Sequence, residues 1–188
     1  EGEFAIEREF DGVQFVGNLL EQDVLNRFLD AVDEHDSPTS LIPRVPHSSG
    51  LLNEQVTPDT VLEDGDHRSH RPKEWYETGW EKVEAIRFLE DPEGVEGTRT
   101  MAQAAIRWLL AHDEVASVTP TFRDGDDIAE WSAAADVPPI SDAEYDRLEE
   151  LYARNFDIDR DDGMDVLRTS VDGEDIEAAG LDKRAASY

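Results

Sequence analysis

Residues 98–135, TRTMAQAAIRWLLAHDEVASVTPTFRDGDDIAEWSAAA, are the stretch on which the fold turns. Thr100 and Gln103 form a capping box, which satisfies amides left free at a helix start, and an Ala-rich helix follows. Residues 115–119 (VASVT) read as a short buried strand ended by Pro120. The loop 121–127 then places Arg123 past the carboxyl end of that strand and ahead of a second helix. In parallel α/β sheets ligands gather where strands end and helices begin, and a guanidinium there is a natural partner for a phosphate.

Working outward, the alternation repeats. Residues 13–16 are a β-type run with apolar neighbours around Gln14, and Val24, Leu25, Phe28, Leu29 and Val32 follow at helical spacing. Residues 40–45 read as a second strand, weakened by Pro43, which has no amide to donate. A long polar connection runs from Pro46 to Pro72; connections of that length are functional loops or disordered segments. Tyr76, Trp80, Val83 and Ile86 mark another helix face, and Ser141 with Glu144 caps a helix whose stripe is Tyr145, Leu148, Leu151 and Tyr152. Strands alternating with helices predict an α/β fold with a parallel sheet. Residues 1–156 form the body in this reading, and 157–188 an acidic C-terminal tail.

The 188 residues hold 46 acids against 17 Lys and Arg, for a net charge of −29. Only three of the cations are Lys, and the acids are spread along the whole chain. Such a surface repels itself unless salt screens it, and this is the composition of proteins from salt-saturated cytoplasm. The same charge opposes nucleic-acid binding, because a phosphate backbone would be repelled. With no cysteine, disulfide and thiolate chemistry are excluded. No apolar run approaches the roughly 20 residues of a membrane span, and the charged N-terminus is not a secretory signal, so a cytoplasmic protein is expected.

Three segments carry candidate chemistry. The first is Arg44-Val45-Pro46-His47-Ser48-Ser49-Gly50-Leu51-Leu52, where a strand end runs into small hydroxyl residues and Gly, a form that can offer amides to a pyrophosphate. Gln14-Phe15-Val16-Gly17-Asn18 is the second, and Phe122-Arg123 with Ile128-Ala129-Glu130 the third. The residues alone also allow plainer accounts: a turn at Gly50, an edge-strand polar residue at Gln14, a solvated loop cation at Arg123.

Taken in order, these segments resemble the end of the aldo-keto reductase family. The resemblance rests on Gln103-Ala104-Ala105-Ile106-Arg107-Trp108-Leu109-Leu110, on Val118-Thr119-Pro120-Thr121-Phe122-Arg123 and on the two upstream segments, and it spans residues 11 to 155. It implies a partial (β/α)8 TIM barrel carrying roughly the last three strand–helix units. It implies that Gln14 holds the nicotinamide amide. His47, Ser48, Ser49 and Gly50 would lie along the cofactor, Phe122 would belong to the cofactor loop, Arg123 would meet the adenosine 2′-phosphate, and Glu130 the adenine amino group.

The chain departs from the family pattern at three places: Gly17 stands where an aromatic residue often stacks, Trp131 where Asn often follows, and Asp127 at a second basic position. NADP(H) is the implied cofactor, and Asp127 leaves NAD(H) open. The family's Asp, Tyr, Lys and His come from the first four strands, so none of Tyr76, Tyr145, Tyr152 and Tyr188 is assigned a catalytic role. The expectation is a carboxyl-terminal part of a carbonyl reductase acting on a small carbonyl substrate when complete, or a non-catalytic regulatory or assembly subunit derived from that family. The partners expected are the missing N-terminal half or a second copy, not nucleic acid or membrane.

Two tempting metal signals fail on their residues. Asp157, Asp159 and Asp161 have calcium-loop spacing, but Asp162 replaces the turn Gly and Arg168 the bidentate acid. His67 and His70 have helical spacing, but no third ligand is evident and two Arg stand beside them.

Overall fold

The computed structural model describes residues 1–94 and 96–158. The expected acidic tail and its calcium-like spacing therefore lie almost wholly outside the described residues.

The chain opens on a short helix, α1 (Gly2–Glu7), whose Ile6 is fully buried. The sequence reading gave this charged segment no structure. Strand β1 (Gly12–Val16), helix α2 (Asp23–His35) and strand β2 (Ser40–Arg44) then form a β-α-β unit. The strands are parallel, in register from Gly12 opposite Ser40 to Val16 opposite Arg44. Leu25, Phe28 and Ala31 bury the inner face of α2, and Phe28 meets Phe15 of β1 edge-on with ring centroids 5.0 Å apart. Helix α2 ends in a Schellman motif, with Asp36 left-handed and Ser37 N–H donating to the Val32 carbonyl at 3.0 Å.

The expected third strand is present only in part. Residues 115–119 run parallel to the far edge of β2, but only Val115 opposite Leu41 and Thr119 opposite Arg44 make bridges. Leu41 N–H donates to Glu114, Ala116 N–H donates to Leu41, and Thr119 N–H donates to Pro43. Pro43 cannot donate the next bond of the ladder, and the register slips by one residue between the two bridges. The described sheet is therefore two strands plus one interrupted neighbour.

Helix α2 packs on the Phe15 face of this sheet, and four further helices complete the described body. Lys73–Ala85 forms α3, Met101–Leu109 α4, Gly125–Ser132 α5 and Asp142–Ala153 α6. Helix α4 is buried nearly all round, from Met101 to Leu109, and its alanines let neighbours approach closely. Its capping box is formed as expected, with Thr100 accepting from the Gln103 amide and the Gln103 side chain accepting in return. The Ser141–Glu144 box opens α6 in the same way. Phe15, Leu41, Trp108, Leu109 and Leu148 belong to the main core, and Ala102, Ile106, Trp131 and Ala134 join α4 to α5 in a smaller cluster.

The opposite face of the sheet carries Gln14 and Arg44, both exposed. Parallel sheets are ordinarily covered on both faces, so these exposed side chains mark a face without a full covering layer among the described residues.

Candidate functional site

The strand ends lie on one side, as parallel strands require. Gly17 N–H donates to the Arg44 carbonyl at 3.2 Å, which joins the loop after β1 to the end of β2. Asn18 is fully buried in that join, donating to Glu21 at 2.7 Å and to the Val45 carbonyl at 3.2 Å. Its role is to hold two loops together.

The loop after β2 is folded under strain. Val45, Ser48 and Ser49 have φ of 58°, 45° and 57°, left-handed values that a β-branched Val in particular resists. Gly50 follows at 102°. A Cβ at Gly50 would stand 3.0 Å from Arg68 Nη1 and 3.0 Å from Val56, so glycine here admits a close approach as well as the angle. Leu51, Leu52 and Val56 anchor the loop in the core.

That twist sends consecutive side chains in opposite directions. His47 turns inward, its ring 4.8 Å from that of Trp131 on α5. Burial holds its pKa down at about 4, against the smaller opposing pulls of the Ala102 carbonyl and the Asp127 carboxylate. It is therefore neutral near pH 7. Its Nε2, and the Oγ of the fully buried Ser48, have no hydrogen-bond partner among the described residues. Ser49 is only half-buried and faces a group of arginines.

Arg71 Nη2 donates to Ser49 Oγ at 3.4 Å, and its guanidinium lies over the Trp75 ring, 4.0 Å from the centroid. Arg68 reaches the Ser49 carbonyl at 3.5 Å while Asp66 grips it from the other side, at 2.9 Å to Nε and 2.6 Å to Nη2. Tyr76 donates its hydroxyl to the Arg68 carbonyl and so pins that turn to α3. From the far side comes Arg123, paired with Asp127 through Nε at 3.1 Å and Nη2 at 3.0 Å. This pairing and the Arg123 amide hold the Asp127 carboxyl below the usual carboxylate range. With its amide oxygen turned toward Arg123, Gln55 accepts from Nε at 3.0 Å and Nη2 at 3.2 Å. Arg68 and Arg123 are close enough to repel each other.

Each expected site residue has a definite place. Ser49, Gly50 and Arg123 belong to this one mouth. His47 and Ser48 are in the same loop with their side chains turned into the core. Gln14 stands in mid-strand on the open face, and no hydrogen bond or ion pair joins its side chain to Ser49 or Arg123 among the described residues. Phe122 is 58% exposed and lines an apolar groove of about 450 Å³ with Pro120, Ile128 and Trp131. Glu130 accepts from the Thr100 hydroxyl at 2.7 Å, and its carbonyl accepts from Gln103 at 3.1 Å, so it fastens α5 to the start of α4. Sequence reasoning missed Gln55, Arg68 and Arg71. Their one available signal was a pair of arginines in a long loop behind a Ser-Gly turn, which had been weighed only as a reason against a metal.

The profile of the Aldo/keto reductase family matches residues 7–153. The chain belongs to that family. Among solved structures, a glycerol dehydrogenase from Gluconobacter oxydans superposes with a TM-score of 0.61 at 20% identity, over 82% of this chain and 46% of its own. An aldo-keto reductase from Bacillus halodurans gives 0.54 at 18% identity in its apo form, over 79% of this chain and 46% of its own. Its holo form gives 0.54 at 18% identity over 79% and 45%. At these identities the likeness is one of fold. The aldo/keto reductase chain described here spans about half the length of these structures. No curated protein sequence matches it significantly.

Proposed function

We propose that this chain is the carboxyl-terminal part of an NAD(P)H-dependent aldo-keto reductase. It carries roughly the last three strand–helix units of a (β/α)8 barrel, with the cofactor-binding strand ends and without the family's catalytic Asp, Tyr, Lys and His. What carries the reading is the mouth past the strand ends, where three guanidiniums and the Ser49 hydroxyl converge in a chain of net charge −29. Coverage of about half of each related structure and the uncovered sheet face support a partial barrel.

The residues present fit the phosphates of a dinucleotide. Ser49 and Arg71 offer donors, and Gly50 leaves space. They fit a 2′-phosphate at Arg123 less well, because Asp127 already occupies that guanidinium and would face the phosphate. NADP(H) and NAD(H) are therefore both within the proposal. When bound, the cofactor supplies a hydride to the carbonyl carbon of an aldehyde or ketone. This chain's part is to hold the dinucleotide extended across the strand ends.

The second reading is a non-catalytic regulatory or assembly subunit, which the tyrosines of the described residues fit as well. Every tyrosine among the described residues spends its hydroxyl on structure: Tyr76 on the Arg68 carbonyl, Tyr145 on His112 at 3.4 Å, and Tyr152 on the start of α2. In either reading the protein is placed in the cytoplasm, without nucleic acid; its partner is the remaining barrel half or a second copy. No helix among the described residues is long and apolar enough to cross a membrane.

Titration of NADPH and NADH, followed by nicotinamide fluorescence in multimolar KCl, tests the cofactor site. Saturable enhancement with either nucleotide is expected, and none with both overturns it. Carbonyl-dependent NAD(P)H oxidation by the natural full-length polypeptide separates the two readings: turnover supports the reductase, and cofactor binding without turnover supports the subunit.

A further inference from the structure

Arginines in so acidic a chain are expected to be neutralised, and most of this mouth obeys. Arg68 is held bidentate by Asp66, and Arg123 by Asp127. Arg71 is different. Its side chain contacts are the Trp75 ring and the Ser49 hydroxyl, and no carboxylate pairs with it among the described residues. A guanidinium seated over an indole ring can still donate from its edge, and it loses little freedom when an anion arrives. Ser49, the residue it touches, is held at φ 57° in a run of left-handed residues, and such strain is concentrated where a loop must present a group.

We propose that Arg71, with the Ser49 hydroxyl, is the diphosphate-binding cation of this chain, and that Arg123 is a structural cation locked to Asp127. The inference deepens the cofactor reading above and rests on it for the identity of the ligand, but not for the anion site itself. The chain's overall charge does not forbid the site. Charges farther than about 8–10 Å are largely screened at 0.1–0.15 M salt, whereas a contact ion pair is not. If the loop 121–127 had supplied the phosphate site, its arginine would stand clear of carboxylates. Instead Asp127 accepts from the Arg123 amide as well as from its side chain, at 2.8 Å, a three-point lock that an incoming phosphate would have to break.

Isothermal titration with inorganic pyrophosphate, ADP-ribose and NADH tests this, in KCl sufficient to keep the chain folded by circular dichroism. Arg71→Gln is expected to weaken pyrophosphate and ADP-ribose at least tenfold and to flatten the salt dependence. Arg71→Lys should fall between Arg71→Gln and the parent chain, and Arg123→Gln should change either affinity less than twofold. An unchanged affinity in Arg71→Gln, or a loss in Arg123→Gln as large as the one expected of Arg71→Gln, overturns the proposal. So does an absence of pyrophosphate and ADP-ribose binding by the parent chain. Pyrophosphate binding that depends on Arg71 while NADH fails to bind upholds the anion site and sinks the cofactor reading instead. NADH binding indifferent to Arg71 does the reverse.

Discussion

At the scale of single residues, His47 illustrates how a polar side chain in a binding-type loop becomes a core residue. Its folded pKa of about 4 lies below the ordinary 6.5 because burial disfavours the charged ring. Between those values the unfolded chain holds more protons than the folded one, so stability rises with pH. The contribution is intact above pH 6.5 and is lost as pH falls through 4. His47→Phe is expected to remove that slope, and the parent chain should lose about 2–3 kcal/mol more than the variant between pH 7 and about 4.5. Urea midpoints at several pH values check this. Burial lowers His112 too, with the same sign, so some dependence persists in the variant. The direction of His47 was not legible in Pro46-His47-Ser48-Ser49. Which residues of such a loop face in depends on Trp131, whose place is set by the docking of α5 on α4.

At the scale of elements, the caps were legible and the ties between elements were not. Both capping boxes stand within four residues of sequence, and a local rule suffices to read them. Helix α2, by contrast, begins at Gln22 with no side-chain cap of its own. Its start is closed from 130 residues away: Tyr152 accepts from the Gln22 amide at 3.0 Å and from the Asp23 amide at 3.3 Å. Tyr152→Phe keeps the ring and strands two amides, so a loss of about 1–2 kcal/mol is expected in chemical denaturation, with no change in compactness.

The buried Arg99–Glu144 pair is a second such tie, joining the start of α6 to the segment before α4, with Arg99 also donating to the carbonyls of Leu89, Pro138 and Pro139. Arg99→Met leaves a buried carboxylate and should cost about 3–5 kcal/mol. Adding Glu144→Gln should restore part of that loss, which the same denaturation experiment measures.

At the scale of the whole molecule, charge dominates. A net charge of −29 on 188 residues opposes compaction, and exposed ion pairs among the described residues, such as Arg27–Glu3 and Arg87–Glu54, each contribute too little to offset it. Removing KCl is therefore expected to unfold the chain, and its melting temperature should climb steeply up to about 1 M salt, where the Debye length is about 3 Å. A flat salt response would refute the reading of the composition as an adaptation to high salt.

The sequence by itself determined the succession of strands and helices after α1, the capped starts of α4 and α6 and the family, because periodicity, caps and Pro breaks are properties of neighbouring residues. Even the interruption of the third strand traces to Pro43, which sequence marked as a poor strand residue. Only the tertiary structure decided that Arg71 meets Ser49 across 22 residues, that Arg123 is taken by Asp127, and that Gln14 stands apart on an open sheet face. Those outcomes depend on how a long loop settles on the frame formed by the strand ends and α3, where packing and charge pairing act between segments that share no local pattern.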